Sequence, residues 1–261
     1  MSQCYKGGGC VRVWDVHPGY LSRQSLLGQH VEIHGIYSII TQGKKGYACH
    51  PETMRWREQL GRLRQRHALT VSEMCHRGFR HKSPLHEVAG DECGDGEMLF
   101  LDRPSQQLLL LDEKYRVNEQ RGRLPLPRRA SEFWAHHKYA VMARGYQYYR
   151  QVQTHLHHEG DLPIGEAHGL VDMVTGMVQE PPSRKGLGNA IAHLWGYFKN
   201  TASREEKDAF FSLDDSDLSA KLEFVRCLTA EYAQPYLLYA TVFVDLPVRE
   251  HHPQGCVTEA R

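Results

Sequence analysis

The 261-residue chain contains no run of 18 apolar residues, so no membrane-spanning helix is expected. Its first residues lack the apolar stretch of a secretory signal. No Cys-x-x-Cys pair occurs. The seven cysteines (Cys4, Cys10, Cys49, Cys75, Cys93, Cys227 and Cys256) are odd in number and scattered, a pattern that predicts a reduced, cytoplasmic protein rather than a disulfide framework. There is no internal repeat and no His-Glu-x-x-His zinc motif. An apolar fraction of 41% is sufficient for a buried core, and the length favours two compact units over one.

Charge is unevenly spread, although the net value is only +1. Residues 11–82 carry 12 Lys/Arg against 5 Asp/Glu, together with seven histidines. Residues 83–102 carry six acids and no Lys or Arg, and residues 131–261 are again net acidic. Of the two blocks, only the basic N-terminal one suits a polyanion.

Apolar periodicity predicts an all-α protein. One helix is expected over residues 20–41, with Leu26, Ile33, Tyr37 and Ile40 on one stripe, and a second over 52–77. Between them, "TQGKKGYACHPE" reads as a loop. Residues 83–130 are weakly patterned and hold the proline-broken "RGRLPLPRR"; of these, 103–130 read as an irregular charged linker between two helical domains, 11–102 and 131–255. Residues 131–158 read as one long helix, and 166–179 as another. In "SRKGLGNAIAHLWGYFKN", Leu187, Ile191, Leu194 and Phe198 share an apolar face. "SREE", residues 203–206, is a capping box that opens a further helix.

The first helix carries the sharpest chemical signal. Gly28 and Gly35 lie one turn to either side of Glu32. Glycine costs about 1 kcal/mol against alanine inside a helix, so two beside one carboxylate need a reason. Close approach of a ligand or another backbone to Glu32 is one; a surface Glu on a helix thinned for packing is the other. His30 and His34 form an i, i+4 pair of the kind that can chelate zinc. No third ligand stands at a typical spacing, and neither a metal nor another cofactor is expected.

The run "RVWDVHPGYLSRQSLLGQHVEIHGIYSIITQGKKGYACHPETMRWREQLGRLRQRHALTVSEMCHRGFRHKSPL" resembles the pyrimidine-dimer DNA glycosylase family of the phage endonuclease V type, over about residues 11–85. The resemblance implies an all-helical protein that cuts damaged double-stranded DNA by glycosylase and then lyase chemistry. It implies a chain α-amine as nucleophile and places the essential carboxylate on Glu32. The chemistry is reasonable. An α-amine has a pKa near 7.7–8.0 against about 10.4 for lysine, so roughly a quarter to two-fifths of such amines are neutral at pH 7.5. Arg12, Arg23, Gln24, Lys44, Lys45, Arg62, Arg66, Arg77 and Lys82 are the candidate DNA contacts.

That resemblance begins at Val11. Ten preceding residues could carry an amine up to roughly 35 Å from Glu32. Valine can be encoded by GTG, a start codon, and "YKGGGC" by a run containing the ribosome-binding sequence AAAGGAGG. Residues 1–10 are therefore expected to be a leader, with the catalytic amine at position 11. The sequence also departs from the family. Ser25 stands where the phage-type enzyme has a His, and Val31 and Gly35 stand where it has arginines.

"FWAHHKYAVMARGYQYYRQV", "PPSRKGLGNAIAHLWGYFKN" and "PYLLYATVFVDLP" resemble the YbgA-like helical domain, of uncharacterised activity, over about residues 131–250. That resemblance puts Arg184, Lys185, Asn189 and His193 on a shared polar face; residues 213–228 match it poorly. Three readings follow: a DNA-repair glycosylase and abasic-site lyase, a DNA-binding protein that has lost catalysis, and an enzyme of modified bases or nucleosides that works through the C-terminal domain.

Overall fold

The computed structural model describes residues 11–85 and 99–244. These form ten α-helices, two short 3₁₀ turns and no strand, so the all-α expectation holds. The proposed leader, residues 1–10, and the expected end of the second domain near 255 lie outside the described residues.

Helix α1 (Arg23–Gln42) starts where the Ser22 hydroxyl accepts the Ser25 N–H at 3.2 Å, and it stops at Gly43 in the left-handed region, φ 64°. The expected 52–77 helix is two helices, α2 (Pro51–Arg55) and α3 (Leu60–His76). The chain turns between them as Arg55 and Trp56 both swing inward onto the Glu52 carboxylate. Helix α4 (Pro104–Asn118) occupies half of the segment expected to be an irregular linker. Pro104 suits a first helical turn, which needs no N–H, and Leu108, Leu111 and Tyr115 point into the core at helical spacing.

The long helix expected over 131–158 is broken at Gly145 into α5 (Ala130–Arg144) and α6 (Tyr146–Glu159). Helix α5 is buried throughout Tyr139–Ala143, and α6, α7 (His168–Gln179) and α8 (Arg184–Trp195) pack around it. The crossing of α8 over α5 is close. A Cβ on Gly186 would lie 2.3 Å from the Ala143 carbonyl oxygen, so only glycine fits. The Ser203–Glu206 capping box forms as read and opens α9 (Arg204–Ser212). Helix α10 (Leu218–Glu231) covers most of the segment that matched poorly, and it packs on α8.

The N- and C-terminal modules share one core. A single cluster of buried side chains runs from Trp14, Tyr20, Leu26 and Met74 through Leu108 and Leu111 to Phe133, Val141, Leu170 and Leu194. At its centre the Tyr20 hydroxyl lies 2.9 Å from His136 Nδ1 and 3.1 Å from His137 Nε2. A smaller cluster of Val11, Val13, Ile33, Ile36, Tyr37, Trp56 and Leu63 sits around α1.

Candidate active site

The segment from Val11 to Val16 is not helical, yet it is almost wholly buried. Buried backbone needs partners, and side chains from three helices supply them. Gln29 of α1 accepts the Trp14 N–H at 2.8 Å. Gln107 of α4 accepts the Asp15 N–H at 2.7 Å and donates to the Asp15 carboxylate at 2.8 Å. Arg55 of α2 donates to the Val13 carbonyl at 2.9 Å, to Asp15 Oδ1 at 3.0 Å, to the Leu99 carbonyl at 3.0 Å and to the Glu52 carboxylate. This harness holds Val11 and Val13 in one apolar cluster with Ile33, the neighbour of Glu32. Sequence reading missed all of it: Asp15, Gln29, Glu52, Arg55 and Gln107 are brought together only by tertiary packing.

Glu32 stands at the edge of the buried stripe of α1, with Ser25, Gly28 and Gly35 on its side of the helix by the 100° step per residue. Its carboxyl pKa is raised above 4.5, by partial burial first and then by the Glu52 charge, with His50 opposing. A Cβ at Gly28 or at Gly35 would meet no described atom within 4 Å. The two glycines are therefore not explained by packing among the described residues, and the face beside Glu32 is open.

The candidate DNA contacts divide by position. Arg23, Gln24, Lys44, Lys45 and Lys82 are exposed; Arg23 lies over Phe79 at 5.5 Å and Gln24 accepts from Gln120 at 2.6 Å. Arg12 stacks on Trp14 at 4.3 Å and pairs with Asp102 at 2.5 Å, and Arg62 is half-buried. Arg66 is a correction. It is 4% exposed and donates to the Asp15 and Val16 carbonyls, so it serves the interior. Its pKa falls to about 10 through burial, with Asp15 opposing. Arg77 is likewise turned inward, bonding Glu73 at 2.7 Å and the Pro18 and Gly19 carbonyls. Another cation stands here that the sequence did not single out. Lys114 of α4 donates to Ser25 Oγ at 3.0 Å, and its pKa is lowered by burial and then by Arg12. It reaches the Glu32 side of α1 from a segment read as linker.

On the opposite edge of α1, about 160–200° from Glu32, His30 and His34 meet His67 of α3 and His81 just beyond it. The expectation that no third imidazole lies near is overturned, because helix packing closes separations that spacing rules do not reach. Burial, followed by the neighbouring imidazoles, pushes His30 down to about 4 and His67 to about 3. In the second module, Arg184, Lys185 and His193 are exposed and Asn189 half-buried on the outer side of α8.

Fold and site together define an all-helical protein that presents one half-buried carboxylate on an open, glycine-lined helix face. Residues 11–87 match the family model described as pyrimidine dimer DNA glycosylase. Residues 138–247 match the family described as a protein of unknown function, DUF1722. The chain thus joins these two modules, the YbgA-like one being the second, as the two resemblances implied. Neither a curated protein nor a solved structure matches the chain significantly.

Proposed function

We propose that the protein is a DNA-repair glycosylase and abasic-site lyase that acts on damaged double-stranded DNA. The observation that carries this reading is the open surface at Gly28 and Gly35 beside the half-buried Glu32. The match of residues 11–87 to the glycosylase family supports it.

In this reading the chain begins at position 11 with an initiator methionine, and its α-amine is the nucleophile. The neutral amine attacks C1′ of the damaged nucleotide. A C–N bond to the chain forms, the glycosidic C–N bond breaks, and the base leaves as an anion that takes up a proton. Loss of an amine proton and ring opening give an imine. The imine acidifies C2′, a proton leaves that carbon, and the 3′ phosphate is expelled by β-elimination. Ionised Glu32 stabilises the cationic intermediate and carries protons. The Gln29–Arg55–Gln107 harness fixes position 11 beside Ile33, so the amine is ordered before substrate arrives. Arg12, Arg23, Lys44, Lys45, Lys82 and Lys114 hold phosphates.

Borohydride trapping tests this on DNA carrying either a cyclobutane dimer or an abasic site, with chains starting at Met1 and at position 11. A covalent adduct is expected with the shorter chain. Glu32→Gln should lower strand cleavage at least ~100-fold, the lower range for a positioned acid–base group. If neither chain is trapped on or cuts either DNA, the protein is a non-catalytic binder or works through its second module.

A further inference from the structure

The four histidines opposite Glu32 form a built cluster that the proposed chemistry does not use. One potential ligand atom from each of His30, His34, His67 and His81 lies within 4.8 Å of all the others. The Nε2 atoms of His34 and His67 are 3.1 Å apart. The Nε2 atoms of His30 and His81 are buried with no hydrogen-bond partner. An unsatisfied buried polar atom is costly, and two in one cluster imply a shared occupant. The rings gather edge to face, with His30 and His34 centroids 4.6 Å apart and His67 and His81 5.4 Å apart.

We propose that His30, His34, His67 and His81 bind one divalent transition-metal ion of the zinc class in four-coordinate geometry. Tetrahedral zinc with Zn–N distances of about 2.0–2.1 Å places its ligand nitrogens about 3.3 Å apart. The His34–His67 edge is already near that length, and the longer edges close by side-chain rotation. The donor set selects the ion. Four imidazoles with no carboxylate suit zinc, cobalt, nickel or copper and exclude calcium and magnesium, which take oxygen ligands. His34 also hydrogen-bonds the Ser83 backbone, the kind of outer contact that orients a ligating imidazole.

The ion has a structural role. It ties two turns of α1 to α3 and to the segment leaving α3. It sits across the helix from Glu32, so it is not the group that activates the nucleophile.

Titration of the metal-free full chain with Co²⁺, followed by Zn²⁺ displacement, tests the site. One equivalent of cobalt should develop the intense visible absorption of a four-coordinate centre and lose it on zinc addition. A hundredfold excess of zinc over its Kd should raise Tm by about 5–10 °C. His67→Gln should weaken binding at least ~10-fold. His81→Gln, at a position outside any helix, should do the same with an unchanged far-ultraviolet circular dichroism spectrum. Glu32→Gln should bind as the unaltered protein does. Cobalt that remains six-coordinate overturns the proposal, as does equal binding by the His81→Gln chain, which would place the metal on other histidines such as those of α6.

Discussion

At the scale of single residues, the two glycines beside Glu32 separate a binding face from a merely weak helix. Alanine at either position meets open space and relieves the helix of about 1 kcal/mol of glycine penalty. Gly28→Ala and Gly35→Ala should therefore each raise Tm. If DNA lies on this face, the same methyl groups should weaken binding to damaged DNA several-fold, measured by fluorescence anisotropy. A gain in stability without a loss in binding would mean that DNA goes elsewhere. Glu32 supplies a second handle. The reaction needs its ionised form, and its pKa is raised by burial and then by Glu52. Cleavage should therefore fall on the acid side in two steps, first as the α-amine protonates below its pKa of about 7.7–8.0, then more steeply as Glu32 protonates at a pH above the ordinary 4.5. Glu32→Gln should remove the second step and leave the first in whatever residual rate persists.

At the scale of elements, what the sequence revealed depends on the range of the forces involved. The Ser203–Glu206 box acts within one turn and caps as its local pattern implies; Ser22 and Ser183 cap α1 and α8 over the same short range. The breaks at Trp56–Gln59 and Gly145 were not legible, because apolar periodicity continues through both. Arg55 and Trp56 turn inward to satisfy Glu52, a demand set by the buried 11–16 segment. Helix α4 was hidden for a related reason. Its flanking acids and basic, proline-rich tail suggested a solvated linker, yet Leu108, Leu111 and Tyr115 find a core built by other elements. Glu32 and its bare flank could be read from i, i+3 and i, i+4 neighbours alone. The harness on Val13 and Asp15, the inward turn of Arg66, Lys114 on Ser25 and the four-histidine cluster all join residues far apart in sequence.

The Glu73 clasp tests how α3 is tied to the segment after α4. Burial alone would raise its carboxyl pKa, but the guanidinium of Arg123, then that of Arg77, overcome it and hold the pKa below 4.5. Arg123 grips both carboxylate oxygens at 2.8 Å, and Arg77 takes one at 2.7 Å. A carboxyl held below its unfolded value gives stability that is complete above about pH 4.5 and is lost as pH falls through the folded value. Glu73→Gln leaves two guanidiniums without their partner and should cost about 3–5 kcal/mol near neutral pH, the range for breaking a buried pair. Tm measured against pH should then fall less steeply in acid than in the parent chain.

At the scale of the whole molecule, two sequence families meet in one packed body. Tyr20 bonds His136 and His137 of α5. Ser72 donates to the Val244 carbonyl at 2.6 Å. Arg123 binds Glu73, and α4 packs its apolar stripe between α7 and the 11–26 region. Cutting the chain between residues 102 and 103 exposes Tyr20, Leu21, Leu26 and Met74 on one piece and Leu108, Leu111 and Phe133 on the other. Each such side chain gains about 1.5–3 kcal/mol from burial, and a whole domain is stable by only about 5–15 kcal/mol. A fragment of residues 11–102 should therefore lack cooperative thermal unfolding by circular dichroism, although it holds Glu32 and the complete family match. Mixing it with a 103–261 fragment should restore a cooperative transition, since the missing surface is supplied in trans. Tyr20→Phe, which removes only the hydroxyl between the two histidines, should weaken that reassembly without unfolding either helix that it joins. A cooperative, stable 11–102 fragment would show instead that the second module is an attachment to the glycosylase-like one and not part of its core.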